Sequence, residues 1–251
     1  MSGHSKWHSI KHKKAKEDAK RGNIFGKLSK SLTIAAREGG SGDPDNNFAL
    51  ANAIAKAKEY NMPQENIDRS IKKGAGGDDG EKFETIMYEG YGPGGTALMV
   101  EAMTENRNRT AAEVRNMFSK SGGNLGETGC VGWLFERKGI ILVDKSLIKD
   151  EEAFMLDIID SGAEDIEEVD SIYEISTPPT EFMNVRKRLS INKIDVKSAE
   201  VTYVPKSTVE VSKKEAERVL KMINTLEDHD DIQNVYSNVE IPDELFQEMG
   251  Q

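Results

Sequence analysis

"KFETIMYEGYGPGGTALMVEAM", residues 82–103, decides the fold. Apolar and aromatic side chains run up to a Gly-Pro-Gly-Gly turn and resume after it, the pattern of two strands closed by a short connection. A hairpin alone is at best marginally stable in water, so it needs more strands and a covering helix. The helix follows directly, over residues 107–119, and ends in a glycine-rich loop at 122–129. A further strand has to come from elsewhere. At the far end of the chain a helix over 212–226 and the strand "IQNVYSNV", residues 232–239, are too small to fold alone. The economical arrangement lets them complete the sheet begun at residue 82.

The intervening residues read as a complete unit: strands "VGWLFER" and "GIILVD", a helix near 147–161, strands "AEDIEEV" and "SIYEIST", a helix over 180–189 and the strand "SAEVTYV". The sequence therefore predicts an α+β chain of three domains. An N-terminal three-helix domain spans 1–78; a discontinuous α+β domain spans 79–130 plus 205–251; and a third, 131–204, is inserted into the second. Both α+β domains are expected to be ferredoxin-like, with helices backing an antiparallel sheet. The boundary at "GAGGDDG", residues 74–80, is also where charge changes sign.

Net charge is −10, yet it is unevenly spread. Residues 1–77 hold 15 Lys and Arg against 8 Asp and Glu, whereas residues 78–251 hold 19 against 36. A polyanion feels the nearby field, because salt screens charge beyond roughly 8–10 Å, so a +7 segment ahead of a −17 body points to a partner of its own. The opening stretch "GHSKWHSIKHKKAKEDAKRG" concentrates Lys6, Lys11, Lys13, Lys14, Lys16, Lys20 and Arg21, with Trp7 among them. Cations interleaved with an aromatic ring suit phosphate contact and base stacking. Two other readings stay open: a solvated tail, and a metal site from His4, His8 and His12 at i, i+4 and i+8. Against the metal stands the local positive potential. In the helix expected from Asn23 to Glu38, Lys27, Lys30 and Arg37 fall opposite the apolar stripe and extend the basic face.

Within "TENRNRTAAEVR", residues 104–115, Arg107 and Arg109 sit at the positive end of a helix that Thr104 or Asn106 would cap. A bound anion would offset that placement, and so would pairing with Glu101 or Glu105. Other motifs exclude more than they suggest. "GAGGDDG" follows a helix and carries Asp78 and Asp79 where a phosphate would lie, so it is no dinucleotide fingerprint, and "GYGPGGT" lacks the lysine of a phosphate-binding loop. Tyr88 and Tyr91 read as sheet packing or as partner-stacking rings. The acidic run at 164–170 alternates with Ile166 and Val169 as the wet face of an edge strand does. For catalysis there remain His229 and the single cysteine, Cys130, which has no basic neighbour in sequence. An enzyme, a metal, a cofactor and a small-molecule substrate are therefore not expected. No apolar run is long enough for a membrane span, and the lone cysteine fits a reducing compartment, so the cytoplasm is the expected location.

The stretches "GHSKWHSIKHKKAKEDAKRGNIFGKL", "REGGSGDPDNN", "KGAGGDD", "ETIMYEGYGPGGTALMVEAMTENRNRTAAEVR" and "FSKSGGNLGETGCVGWLFERKG" closely resemble the YebC family of bacterial regulators, whose mitochondrial relative activates translation of a cytochrome oxidase subunit. The resemblance is dense over residues 3–139 and one of layout beyond. It implies three domains, no catalysis, and a role either as a DNA-binding transcriptional regulator or as a ribosome-associated factor that helps translation through proline-rich stretches. One stretch departs from the pattern: where family members carry a basic "NPRLRxAI"-like helix start, this chain has "NFALANAI", residues 47–54, and so less charge.

These readings converge on a non-enzymatic nucleic-acid-binding regulator of gene expression, its partner ribosomal RNA or promoter DNA. The competing class is a protein-interaction module acting on transcription or ribosomal proteins, with the arm incidental.

Overall fold

Leu28, Leu32, Ala35 and Ala36 recur at helical spacing and are buried together on one face of α1 (Arg21–Glu38). The computed structural model describes residues 21–76, 83–242 and 245. Gly40, in left-handed conformation at φ 63°, turns the chain after α1. α2 (Phe48–Glu59) starts after Asn47, which supplies the cap: its side chain accepts the Leu50 N–H and donates to the Ala35 carbonyl. α3 (Gln64–Ala75) follows Pro63, as expected of a residue that cannot donate. Leu50, Ala57, Met62 and Ile67 close the core against α1. α3 crosses α1 at Gly74, where a Cβ would collide with the Thr33 carbonyl and the Ala36 methyl.

The quoted hairpin is present. β1 (Glu84–Tyr91) pairs antiparallel with β2 (Ala97–Thr104) in unbroken register from Glu84↔Thr104 to Tyr91↔Ala97. α4 (Arg107–Lys120) packs on both strands, and the short β3 (Asn124–Leu125) returns along β1.

The chain then enters the first of two compact units, residues 134–207; all other described residues belong to the second. In the first, β4 (Phe135–Asp144), α5 (Glu151–Asp160), β5 (Asp165–Val169), β6 (Ile172–Thr177), α6 (Phe182–Ile191) and β7 (Val196–Pro205) form a βαββαβ unit with an antiparallel sheet ordered β5-β6-β4-β7. Two strands were expected where β4 runs through. Gly139 does not break it; the residue pairs with Thr177 and Val201, and Thr177 and Phe182 occupy the space a side chain would need. β5 lies at the sheet edge with Glu164 and Glu168 in ion pairs to Lys138 and Lys145, so the acidic run is a solvated edge. Across the helices, Arg188 grips the Asp157 carboxylate and Asn192 adds a bond at 2.7 Å.

On its return the chain adds β8 (Val209–Glu210), α7 (Lys213–Glu227), β9 (Ile232–Ser237) and β10 (Val239–Glu240). Ser212 and Glu215 form a reciprocal capping box at the start of α7. β9 pairs antiparallel with β2, giving the order β3-β1-β2-β9. The C-terminal helix and strand thus complete the sheet begun at residue 84, with helix-on-sheet layering but a strand order different from that of residues 134–207. Among the described residues no helix is long and apolar enough to cross a membrane.

Candidate nucleic-acid interface

Of the residues singled out in the sequence, Lys6, Trp7, Lys11, Lys13, Lys14, Lys16 and Lys20 lie outside the described residues, as do the three arm histidines. Arg21 is the first residue of α1. On the α1 face, two of the three cations are engaged within the chain. Lys27 donates to the Glu227 carbonyl at 2.5 Å, and Lys30 donates to Asp231 Oδ1 at 2.8 Å and to the Asp230 carbonyl at 3.1 Å. Both ammonium groups therefore meet the C-terminal end of α7 and the turn after it, where cations complement the helix dipole. Helical spacing showed that the lysines left the core of their own bundle; it could not show that a second surface waited for them. Arg37 is partly exposed near the last turn of α1 and engages other groups of the chain.

Asp231 is the hub that sequence reading missed. Its carboxylate, buried in the second unit, receives Lys30 through Oδ1, while Oδ2 receives Arg109 at 2.7 Å, the Thr110 hydroxyl at 2.9 Å and the Thr104 hydroxyl at 3.2 Å. Burial alone would push this carboxyl up, but the hydrogen bonds from Lys30, Arg109 and Thr110 outweigh it and hold the group well below the usual carboxylate range. The offset that Arg109 requires at a helix start is thus an ion pair within the chain, with Asp231 in the place foreseen for Glu101 or Glu105. Glu101 instead accepts from Asn234 and Tyr236. Arg107 stays two-thirds exposed, 4.0 Å from Glu84. Asn106, not Thr104, caps α4, and Thr104 in turn accepts the Asn106 N–H.

Other cations are exposed on the helices. α4 exposes Arg115 and Lys120 as well as Arg107, against one acid, Glu113. α7, packed beside it, exposes Lys214, Arg218 and Lys221 at i, i+4 and i+7, opposite its buried Val219, Met222 and Ile223. This stripe was legible in sequence as the complement of an amphipathic pattern, but the net acidity of the segment hid it.

Cys130 and His229 do not converge. Cys130 sits beside Tyr91 at one end of the hairpin and His229 near Asp231 at the other, roughly 20 Å apart along eight-residue strands. Burial and the nearby Glu89 carboxylate both push the Cys130 thiol up, away from reactivity. Glu113, His229 and Asp231 bring potential ligand atoms within 4.8 Å of one another. The Asp231 carboxylate, however, already holds an ammonium and a guanidinium, which oppose a further cation, and His229 Nδ1 accepts the Asp231 N–H while Nε2 meets Glu113 at 2.8 Å.

Comparison with known proteins places this geometry. Family models described as the TACO1/YebC protein N-terminal domain and the TACO1/YebC second and third domain match residues 5–77 and 83–239. A protein of Halothermothrix orenii named "Probable transcriptional regulatory protein" is 54% identical over 251 residues, covering 99% of both chains. A protein of the same name from Syntrophomonas wolfei is 52% identical over 98% of this chain and 99% of its own. Among solved structures, a conserved hypothetical protein of Aquifex aeolicus superposes with a TM-score of 0.80 at 46% identity, over 90% of this chain and 92% of that one. With both models matched in order and the layout shared from end to end, the chain belongs to the TACO1/YebC family.

Proposed function

We propose that this protein regulates gene expression by binding nucleic acid without catalysis, and that its partner is RNA of the translation apparatus in preference to promoter DNA. The observation that carries the reading is the segregation of charge: a +7 segment of 77 residues ahead of a −17 remainder. Lys6, Lys11, Lys13, Lys14, Lys16, Lys20 and Arg21 take phosphates, with Trp7 stacking on a base. Lys27 and Lys30 serve this indirectly, by holding α1 to the body and so fixing where the arm emerges. Arg107, Arg115 and Lys120 on α4 offer a second set of phosphate contacts, Arg109 being held by Asp231. The names of the bacterial relatives support a regulatory role. RNA is favoured because charge combined with exposed aromatics suits irregular or single strands, whereas duplex reading calls for a recognition helix with base-reading side chains.

The test is sedimentation of tagged protein from lysate with and without RNase. Co-sedimentation with ribosomes that RNase abolishes is the expected result; recovery on promoter DNA indifferent to RNase would overturn the preference for RNA. One observation favours a protein-interaction module instead: Leu156, Ile159 and Ile191 on α5 and α6 are 65%, 51% and 62% exposed. That reading predicts partner recovery insensitive to both RNase and DNase.

A further inference from the structure

One side of the sheet in residues 134–207 has no helix of its own. α5 and α6 both pack on the side that carries Ile141, Val143, Tyr173 and Ile175. Strand alternation sends Ile140 and Leu142 of β4 to the other side, yet each is only 3% exposed. Ser198, opposite Leu142 on β7, is 4% exposed, and its hydroxyl has no hydrogen-bond partner among the described residues. An apolar pair and a hydroxyl buried on a side without a helical layer require a cover, and the hydroxyl requires that the cover bring a polar group.

The charges around them define what the cover carries. By the strand registers Glu136, Asp165, Glu167, Glu174 and Glu200 share this side. Glu167 and Glu174 stand directly opposite each other on β5 and β6, a like-charge pair that costs stability unless a cation joins it. Lys138 on β4 and Lys197 on β7 are already committed, to Glu164 at 3.0 Å and Asp144 at 3.4 Å. Glu174 and Glu200 both engage further groups of the chain.

A cationic segment with a few large apolar side chains fits such a face, and the chain has one. Lys6, Lys11, Lys13, Lys14 and Lys16 surround Trp7 and Ile10, while the acids of the arm, Glu17 and Asp18, come after this cluster. The twenty residues ahead of Arg21 extend to about 70 Å at most, farther than a domain of about 100 residues is wide. Such a tether keeps the arm at an effective concentration on the order of millimolar, which favours it over a free cationic peptide.

We propose that the arm, residues 3–20, docks on this acidic sheet face when no nucleic acid is bound, its lysines on the carboxylates and Trp7 and Ile10 over Ile140 and Leu142. One consequence rests on the nucleic-acid reading: lysines held by carboxylates are withheld from phosphate, so RNA has to displace the sheet from the arm. The chain has two tryptophans, so in the full-length Trp133→Phe protein Trp7 is the single emitter. Acrylamide is the probe. Trp7 is shielded from it at low salt and becomes accessible as salt rises, because the docking is electrostatic. Glu174→Gln combined with Glu200→Gln weakens docking about tenfold and moves the release to lower salt. If that protein does not fold, Glu136→Gln with Asp165→Asn, at two exposed positions, shifts the release in the same direction. Trp7 equally accessible at every salt concentration, or released at the same salt in parent and variants, would overturn the docking. Shielding that disappears on dilution of the protein would assign the arm to a second copy and overturn it as well. Failure of the parent to bind oligouridylate would overturn the proposed function and leave the Trp7 result to decide the docking.

Discussion

Replacing Asp231 by asparagine keeps the volume of the side chain and removes the charge that Lys30 and Arg109 share. Removing one member of a buried ionic cluster leaves the others uncompensated; here the partners are 21% and 47% exposed and partly resolvated, so the expected loss is about 2 kcal/mol. The pH dependence follows from the depressed carboxyl. Its contribution is complete above the unfolded value near 3.9 and is lost as pH falls below it toward the folded value. Urea unfolding of Asp231→Asn and the parent should differ by a constant amount from pH 8 to 5 and converge below about pH 4. A gap unchanged at pH 3 would show that the charge is not what stabilises the site. At this scale the sequence revealed a problem and not its solution. Arginines at a helix start announce an unmet need, but the answering acid lies 122 residues away and is chosen by strand pairing.

Gly74 tests the packing of elements. In an unobstructed helix, glycine to alanine gains about 1 kcal/mol; here the new methyl meets the Thr33 carbonyl and Ala36 where α3 crosses α1, so Gly74→Ala should destabilise by about 1–3 kcal/mol in chemical denaturation. A stabilised variant would mean that the helices do not approach this closely. Elements with strong periodicity were readable: α1 with its glycine stop, the hairpin, and α7 behind Ser212. Where local and tertiary signals compete, sequence misled. Asp43-Pro44 resembles a helix start, yet Asn47 wins because its side chain also reaches the Ala35 carbonyl. Gly139 resembles a break, yet it is there to admit Phe182.

For the whole molecule, the insertion followed from size: a helix and a strand at the end of the chain had to find a sheet, and β9 pairs with β2. In residues 134–207 β4 and β7 pair from Phe135↔Pro205 to Val143↔Val196, so the unit's ends meet, around a core including Ile141, Phe154, Tyr173 and Leu189. Residues 134–207 expressed alone should therefore melt cooperatively; a gradual, non-cooperative melt would show that the unit depends on the rest of the chain. The proposed interface was only partly legible. Charge counts pick out the arm, but which cations the body retains for itself, Lys27, Lys30 and Arg109, depends on contacts between segments distant in sequence.

The claim that a cationic arm grips a sugar-phosphate chain is tested most directly by the salt dependence of RNA affinity in the intact protein and in one lacking residues 1–20. Each phosphate contact contributes a slope of about −0.7 to −0.9 in log affinity against log salt. The intact protein should show a steep slope, and the shortened one weaker binding with a slope shallower by several contacts. Equal affinity and equal slope in the two proteins would contradict the account.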